Sequence, residues 1–183
     1  TVRQAVQRLS ALGIVRSRQG KGTYVEQVDT SFYLNLLIPS LMLSGGDSIS
    51  ILEFTKSIQV ECVRIVSQCA SDEIARLSDY LEQMRFAGDY ESYFHFDMGY
   101  HSYLAQLTGN PLFIKAIEIV ENLLHVYLRD IVAFHGSKRS MQQHEECFEA
   151  LRARETERAV RIMVEHYDML LQRMKDWLEP EKA

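Results

Sequence analysis

The stretch Phe94-His95-Phe96-Asp97-Met98-Gly99-Tyr100-His101 carries a carboxylate and an imidazole four residues apart. That spacing stacks the two on one helix face, where they could grip a single cation, so the pair reads as half of a metal site. The other half has to come from elsewhere, and His144 and His166 are placed to supply it. On one continuous helix they would lie roughly 33 Å apart at 1.5 Å per residue. A turn at Arg154-Glu155 changes this, because an antiparallel hairpin puts His144, about ten residues before the turn, level with His166, about eleven after it. Three helices then converge. Asp97, His101, His144 and His166 make a one-carboxylate, three-imidazole shell suited to Zn²⁺ or Ni²⁺. His95 points about 200° of helix away from Asp97. His135 also stays outside the set, and His125 could line a pocket beside it.

The elements that must position these residues are helical. Ser50-Ile51-Leu52-Glu53 is a capping-box pattern that opens a helix with Ile51, Phe54, Ile58, Val63 and Val66 as its apolar face, running to about Ala70. Ser71-Asp72-Glu73 opens the next, which carries Ile74, Leu77, Leu81 and Met84 and ends at Gly88. Asp89 starts the helix bearing Asp97 and His101, and Thr108-Gly109 closes it. Asn110 as cap with Pro111 at the first helical position begins a long helix to about Phe134. Ser140-Met141-Gln142-Gln143 reads as a second capping box before a helix to about Arg152, and a last helix spans about Thr156 to Leu178. No segment here alternates like a strand. Residues 48–183 are therefore expected to form an all-α antiparallel bundle of six or seven helices.

Length and composition allow this. The chain has 183 residues, 46% of them hydrophobic, enough for one full-sized domain and a small piece of another. No apolar run approaches a membrane span and no signal-peptide core is present, so a cytoplasmic protein with no membrane partner is expected. Cys62, Cys69 and Cys147 are odd in number and lack CxxC spacing, which predicts reduced thiols. The net charge of −5 is uneven: residues 1–25 hold Arg3, Arg8, Arg16, Arg18 and Lys21 and no acid, leaving −10 for the rest. A basic head on an acidic body is what a DNA-contacting head joined to a regulatory body requires.

That head has its own pattern. Val2, Ala5, Val6, Leu9 and Leu12 recur at helical spacing with Arg3, Gln4, Gln7 and Arg8 on the other side. After Gly13, Ile14-Val15-Arg16-Ser17-Arg18 and Thr23-Tyr24-Val25 read as two strands around a Gly-rich turn. Thr1-Val2-Arg3-Gln4-Ala5-Val6-Gln7-Arg8-Leu9 together with Gly20-Lys21-Gly22-Thr23-Tyr24-Val25 closely resembles the winged helix-turn-helix of GntR-family transcription regulators. The resemblance implies that residues 1–28 are a recognition helix and β-hairpin wing, a partial DNA-binding domain lacking the two helices and strand the family places first. It gives DNA contact to Arg3, Gln4, Arg8, Lys21 and Gly22. Residues 29–47, with Phe32 to Leu43 interrupted by Pro39, would be a linker helix.

The body resembles the ligand-binding domain of the FadR branch of that family, in which an Asp-x-x-x-His helix, a Glu/Gln-His helix start and a His on the last helix hold a metal. Asp97, His101, His144 and His166 match those positions, and Asn110 also sits where that branch has Asn. Where the family reads Glu-Leu-Arg with a Glu four residues on, this chain has Glu53-Phe54-Thr55 and Gln59, so an expected buried ion pair is absent and the effector's identity does not transfer. The resemblance implies a homodimeric regulator, not an enzyme, that binds double-stranded operator DNA, a divalent metal and a small organic-acid effector. The competing class is a metal-dependent hydrolase on a helical bundle, since an ion with open positions can activate water. Against it, there is no HExxH, and Glu145 and Glu165 point off the ligand face.

Overall fold

The computed structural model describes residues 1–11, 13–25 and 48–178, some side chains between 122 and 134 excepted. The expected linker helix over 29–47 lies outside the described residues. In the head, α1 (Val2–Ala11) precedes strands β1 (Val15–Arg18) and β2 (Gly22–Val25). The strands pair antiparallel with Val15 opposite Val25 and Arg18 opposite Gly22. Gly20 at φ 74° and Gly22 at φ 99° form the tip, values at which any side chain would be strained. None of α1 is buried, so Arg3, Gln4 and Arg8 are exposed, as are Lys21 and Gly22.

The body is all-α as expected, with seven helices among the described residues: α2 (Ser48–Val66), α3 (Ser71–Ala75), α4 (Leu77–Phe86), α5 (Tyr90–Leu107), α6 (Pro111–His135), α7 (Lys138–Arg152) and α8 (Thr156–Leu178). The α2 helix packs most extensively on α8, α8 also on α7, and α5 lies between α4 and α6. Leu52 and Val63 of α2, Tyr100 and Leu104 of α5, Ile117 of α6, Leu151 of α7 and Met163 of α8 form the centre of the core. Burying each stabilises by roughly 1.5–3 kcal/mol. None of the described helices is long and apolar enough to cross a membrane.

Two helix starts agree with the sequence chemistry. The Asp89 carboxylate accepts the Ser92 amide at 2.7 Å, and the Asn110 side chain accepts the Leu112 amide at 3.0 Å. Two capping boxes are corrected. The α2 helix begins at Ser48, with Ser50 inside it, and α7 begins at Lys138, so Ser140 is a buried residue of the helix and not its cap. Gly136 at φ 75° turns the chain early enough for α7 to start before Ser140. Phe54 is not core either, being 53% exposed. The buried stripe of α2 runs through Ile51, Leu52, Thr55, Ile58, Gln59, Cys62 and Val66, and Phe54 falls outside it. The single helix expected from Ser71 divides at Arg76, whose amide bonds back to Glu73 and Ile74 carbonyls.

The hairpin that the site depends on is present. After α7 ends at Arg152, Arg154 adopts φ 60°, and the amides of Glu155 and Arg154 bond to the carbonyls of Ala150 and Leu151 at 2.9 and 3.1 Å. This is a Schellman motif with Arg where Gly is usual. The side chain accounts for the choice: its guanidinium donates to the Ser67 carbonyl at 2.7 Å and the Ser71 hydroxyl at 3.0 Å, tying the α7–α8 turn to the α2–α3 turn.

Candidate metal centre and its cavity

Helix α5 contributes Asp97 and His101, α7 contributes His144 and α8 contributes His166, and the hairpin register brings the last two face to face. All four are buried, with exposures of 6%, 3%, 1% and 1%. The His101 and His144 Nε2 atoms lie 3.2 Å apart, the His144 and His166 rings have centroids 4.6 Å apart, and the three histidines present nitrogens all within 4.8 Å of one another. Asp97 lies beside this trio and outside it: its Oδ1 stands 3.5 Å from His144 Nδ1, whereas the His144 Nε2 faces His101.

Neighbouring groups hold this arrangement. The Gln59 side-chain amide donates to the His101 carbonyl at 3.0 Å. The Tyr100 hydroxyl donates to the His144 carbonyl at 3.4 Å while its ring lies against the His144 imidazole at 4.9 Å. Gly99 is there for space, since a Cβ on it would sit 2.7 Å from the Tyr80 ring of α4.

Polar atoms at the centre lack protein partners. Asp97 Oδ1, His101 Nδ1, His144 Nδ1 and both ring nitrogens of His166 are buried without a hydrogen bond among the described residues. Each such atom costs about 1–3 kcal/mol unless something else satisfies it. Burial pushes the His101 imidazole down to about 4. It also drives His144 and His166 well below their usual range, with the neighbouring histidines adding to the effect. The imidazoles are therefore neutral, the form that binds metal. Burial raises the Asp97 carboxyl to about 7, Tyr93 opposes the rise and Glu121 adds to it. On a tetrahedral ion with bonds of about 2.0–2.1 Å, neighbouring ligand atoms sit roughly 3.3 Å apart. The observed His101–His144 separation fits such a centre.

The centre opens on a cavity of about 20 Å³ lined by Asp97, His101 and Glu121 among apolar side chains that include Leu52, Phe94, Met98 and Leu170. That is room for about one water. A larger open groove of about 890 Å³, lined by Tyr93 and Met141, is not lined by any of the four residues. The candidate bases named from sequence do not join the site, for Glu145 pairs with Arg85 and Glu165 is exposed. His125 is half-exposed, set edge-on to Phe94 at 5.0 Å, and does not line the cavity. The sequence alone does not single out Glu121 and Ser102. Their signals were slight: an acid one step past the apolar Ile117 and Val120 of α6, and a serine following His101.

A family model described as the FCD domain matches residues 50–169. The chain is similar to the HTH-type transcriptional regulator LutR of Bacillus subtilis, at 25% identity over 173 residues that cover 90% of this chain and 79% of that protein. Among solved structures, a GntR-family transcriptional regulator from Pseudomonas syringae pv. tomato superposes with a TM-score of 0.65 at 20% identity, covering all of this chain (100%) and 71% of the other. Streptococcus agalactiae GntR superposes with a TM-score of 0.65 at 21% identity, covering 93% and 80%. At these identities the structural matches speak to the fold.

Proposed function

The chain belongs to the FCD-domain family of GntR-type regulators, and from that premise we propose that it is a DNA-binding transcription regulator whose body binds one divalent metal and a small carboxylate effector. One observation supports the reading: three buried imidazoles from three helices cluster with a buried carboxylate beside them, and among the described residues several of their nitrogens and one carboxylate oxygen have no hydrogen-bond partner. Asp97, His101, His144 and His166 would hold the ion, Zn²⁺ or Ni²⁺ by the donor set. When bound, the ion supplies a Lewis-acid anchor for an effector carboxylate.

The protein's own residues do the rest. Gln59 and Tyr100 fix the backbones of His101 and His144, and the apolar cavity wall excludes water from the bound acid. Because the cavity takes about one water as it stands, admitting an acid has to shift its walls. We assign the transmission of that shift to residues 29–47, which connect the body to Arg3, Gln4, Arg8, Lys21 and Gly22 on the head. A coupling of about 1–3 kcal/mol would change operator affinity roughly 5- to 150-fold. The working unit is a cytoplasmic homodimer on double-stranded operator DNA, with no catalytic step. The test is operator titration of the metal-loaded protein with and without small carboxylates, in wild type and His101→Ala. An effector response that survives complete metal removal sinks the reading.

A further inference from the structure

The cavity beside the histidines is walled on α6 by Glu121, and among its described lining residues there is no Lys or Arg. One Glu121 oxygen accepts the Ser102 hydroxyl at 2.5 Å, and the carboxylate makes no other hydrogen bond or ion pair among the described residues. Asp97, on the opposing helix α5, has a buried oxygen without a partner facing the same cavity. The lining thus presents two carboxylates and one imidazole, His101, whose ring nitrogens cluster with those of His144 and His166. A bound cation answers the set around Asp97 but leaves the spare oxygen of Glu121 to whatever fills the cavity.

We propose that Glu121, held in place by Ser102, selects the effector: it admits a small monocarboxylic acid whose distal group donates a hydrogen bond, a hydroxyl or an ammonium, and excludes one whose distal group is a second carboxylate. The inference rests on the metal-and-carboxylate reading above and names the ligand class that reading leaves open. An acid bound through the ion meets Glu121 as the one carboxylate beyond Asp97 among the described lining residues, the rest of the wall being apolar side chains such as Leu52, Phe94 and Leu170 with the hydroxyls of Thr55, Ser140 and Tyr167. A distal donor pairs with the second Glu121 oxygen, and a distal carboxylate sets two anions together in a half-buried, largely apolar space, the arrangement by which a site rejects a near-isostere. Burial raises the Glu121 carboxyl to about 7, with Ser102 opposing the rise and Glu118 adding to it, so the charge argument applies above that pH, where Glu121 is an anion, and the titrations are run at about pH 8.

The experiment uses the metal-loaded full chain and three four-carbon acids of matched length: 4-hydroxybutyrate, butyrate and succinate. Calorimetric titration of the wild type is expected to rank 4-hydroxybutyrate first, with succinate about tenfold or more weaker. In Glu121→Gln, which keeps the shape and removes the charge, that gap should close to about twofold, and in Glu121→Arg succinate should lead. Metal content of each variant, measured alongside, reports that the centre and hence the fold are intact. Metal-dependent binding with the same preference in all three proteins overturns the role of Glu121 and leaves the metal-and-carboxylate reading standing. Binding that persists after the metal is stripped, or no binding of any of the three acids, overturns both.

Discussion

His101 and His144 are 43 residues apart in sequence, yet their Nε2 atoms face each other at 3.2 Å in a buried space. Nothing local brings them together. The contact exists because α5 packs in the body with its Asp97–His101 face inward and because the α7–α8 hairpin turns at Arg154.

That turn gives a stability prediction. Arg154 holds φ 60° and donates to Ser67 and Ser71. Arg154→Ala should lose the side-chain bonds while keeping the backbone strain, destabilising by about 1–3 kcal/mol. Arg154→Gly loses the same bonds but relieves about 1 kcal/mol of strain, so it should fall between Ala and wild type. Urea denaturation checks the order, and an Ala variant as stable as wild type contradicts it.

Gly99 carries a second one. Its missing Cβ is replaced in space by the Tyr80 ring. Gly99→Ala should destabilise by about 1–3 kcal/mol through overpacking despite the better helix propensity of Ala. Combining it with Tyr80→Ala should cost less than the sum of the single changes, and strict additivity in a double-mutant cycle would show that the two do not meet.

How far the sequence foretold these features depended on the kind of signal. The Asp97–His101 step and the register of His144 against His166 are fixed by helix geometry and one turn, and both were legible. The caps at Asp89 and Asn110 were legible for the same reason, because their chemistry is local, whereas α4 ends at Phe86 with Ala87 extended and not on Gly88 as a left-handed cap. Ser50 and Ser140 misled because a serine with Glu or Gln three residues on has the same pattern at a helix start and within its first turns, and burial decides between the two. Phe54 misled because α2 places Thr55 and Gln59 in its buried stripe, polar residues that donate to the Ile51 and His101 carbonyls, contacts that no sequence pattern displays. Glu121 was missed because a lone acid on a helix is ordinarily solvated, and only the packing of α6 on α5 brings it to Ser102.

The head makes a prediction about salt. Arg3 and Lys21 are exposed on α1 and at the wing tip. If each meets a phosphate, Arg3→Ala and Lys21→Ala should each weaken operator binding and lower the slope of log affinity against log salt by about 1. Fluorescence anisotropy across a salt series measures both, and an unchanged slope removes the residue from the interface.

The most direct test of the account is elemental analysis of the purified protein after dialysis against Zn²⁺ or Ni²⁺, for the wild type and the double variant His144→Ala, His166→Ala, with circular dichroism to follow the helices. One tightly held ion per chain is expected in the wild type and none in the variant, with thermal stability gained on loading only in the wild type. One stoichiometric ion in the double variant, or a helical wild type that takes up no ion, would contradict it.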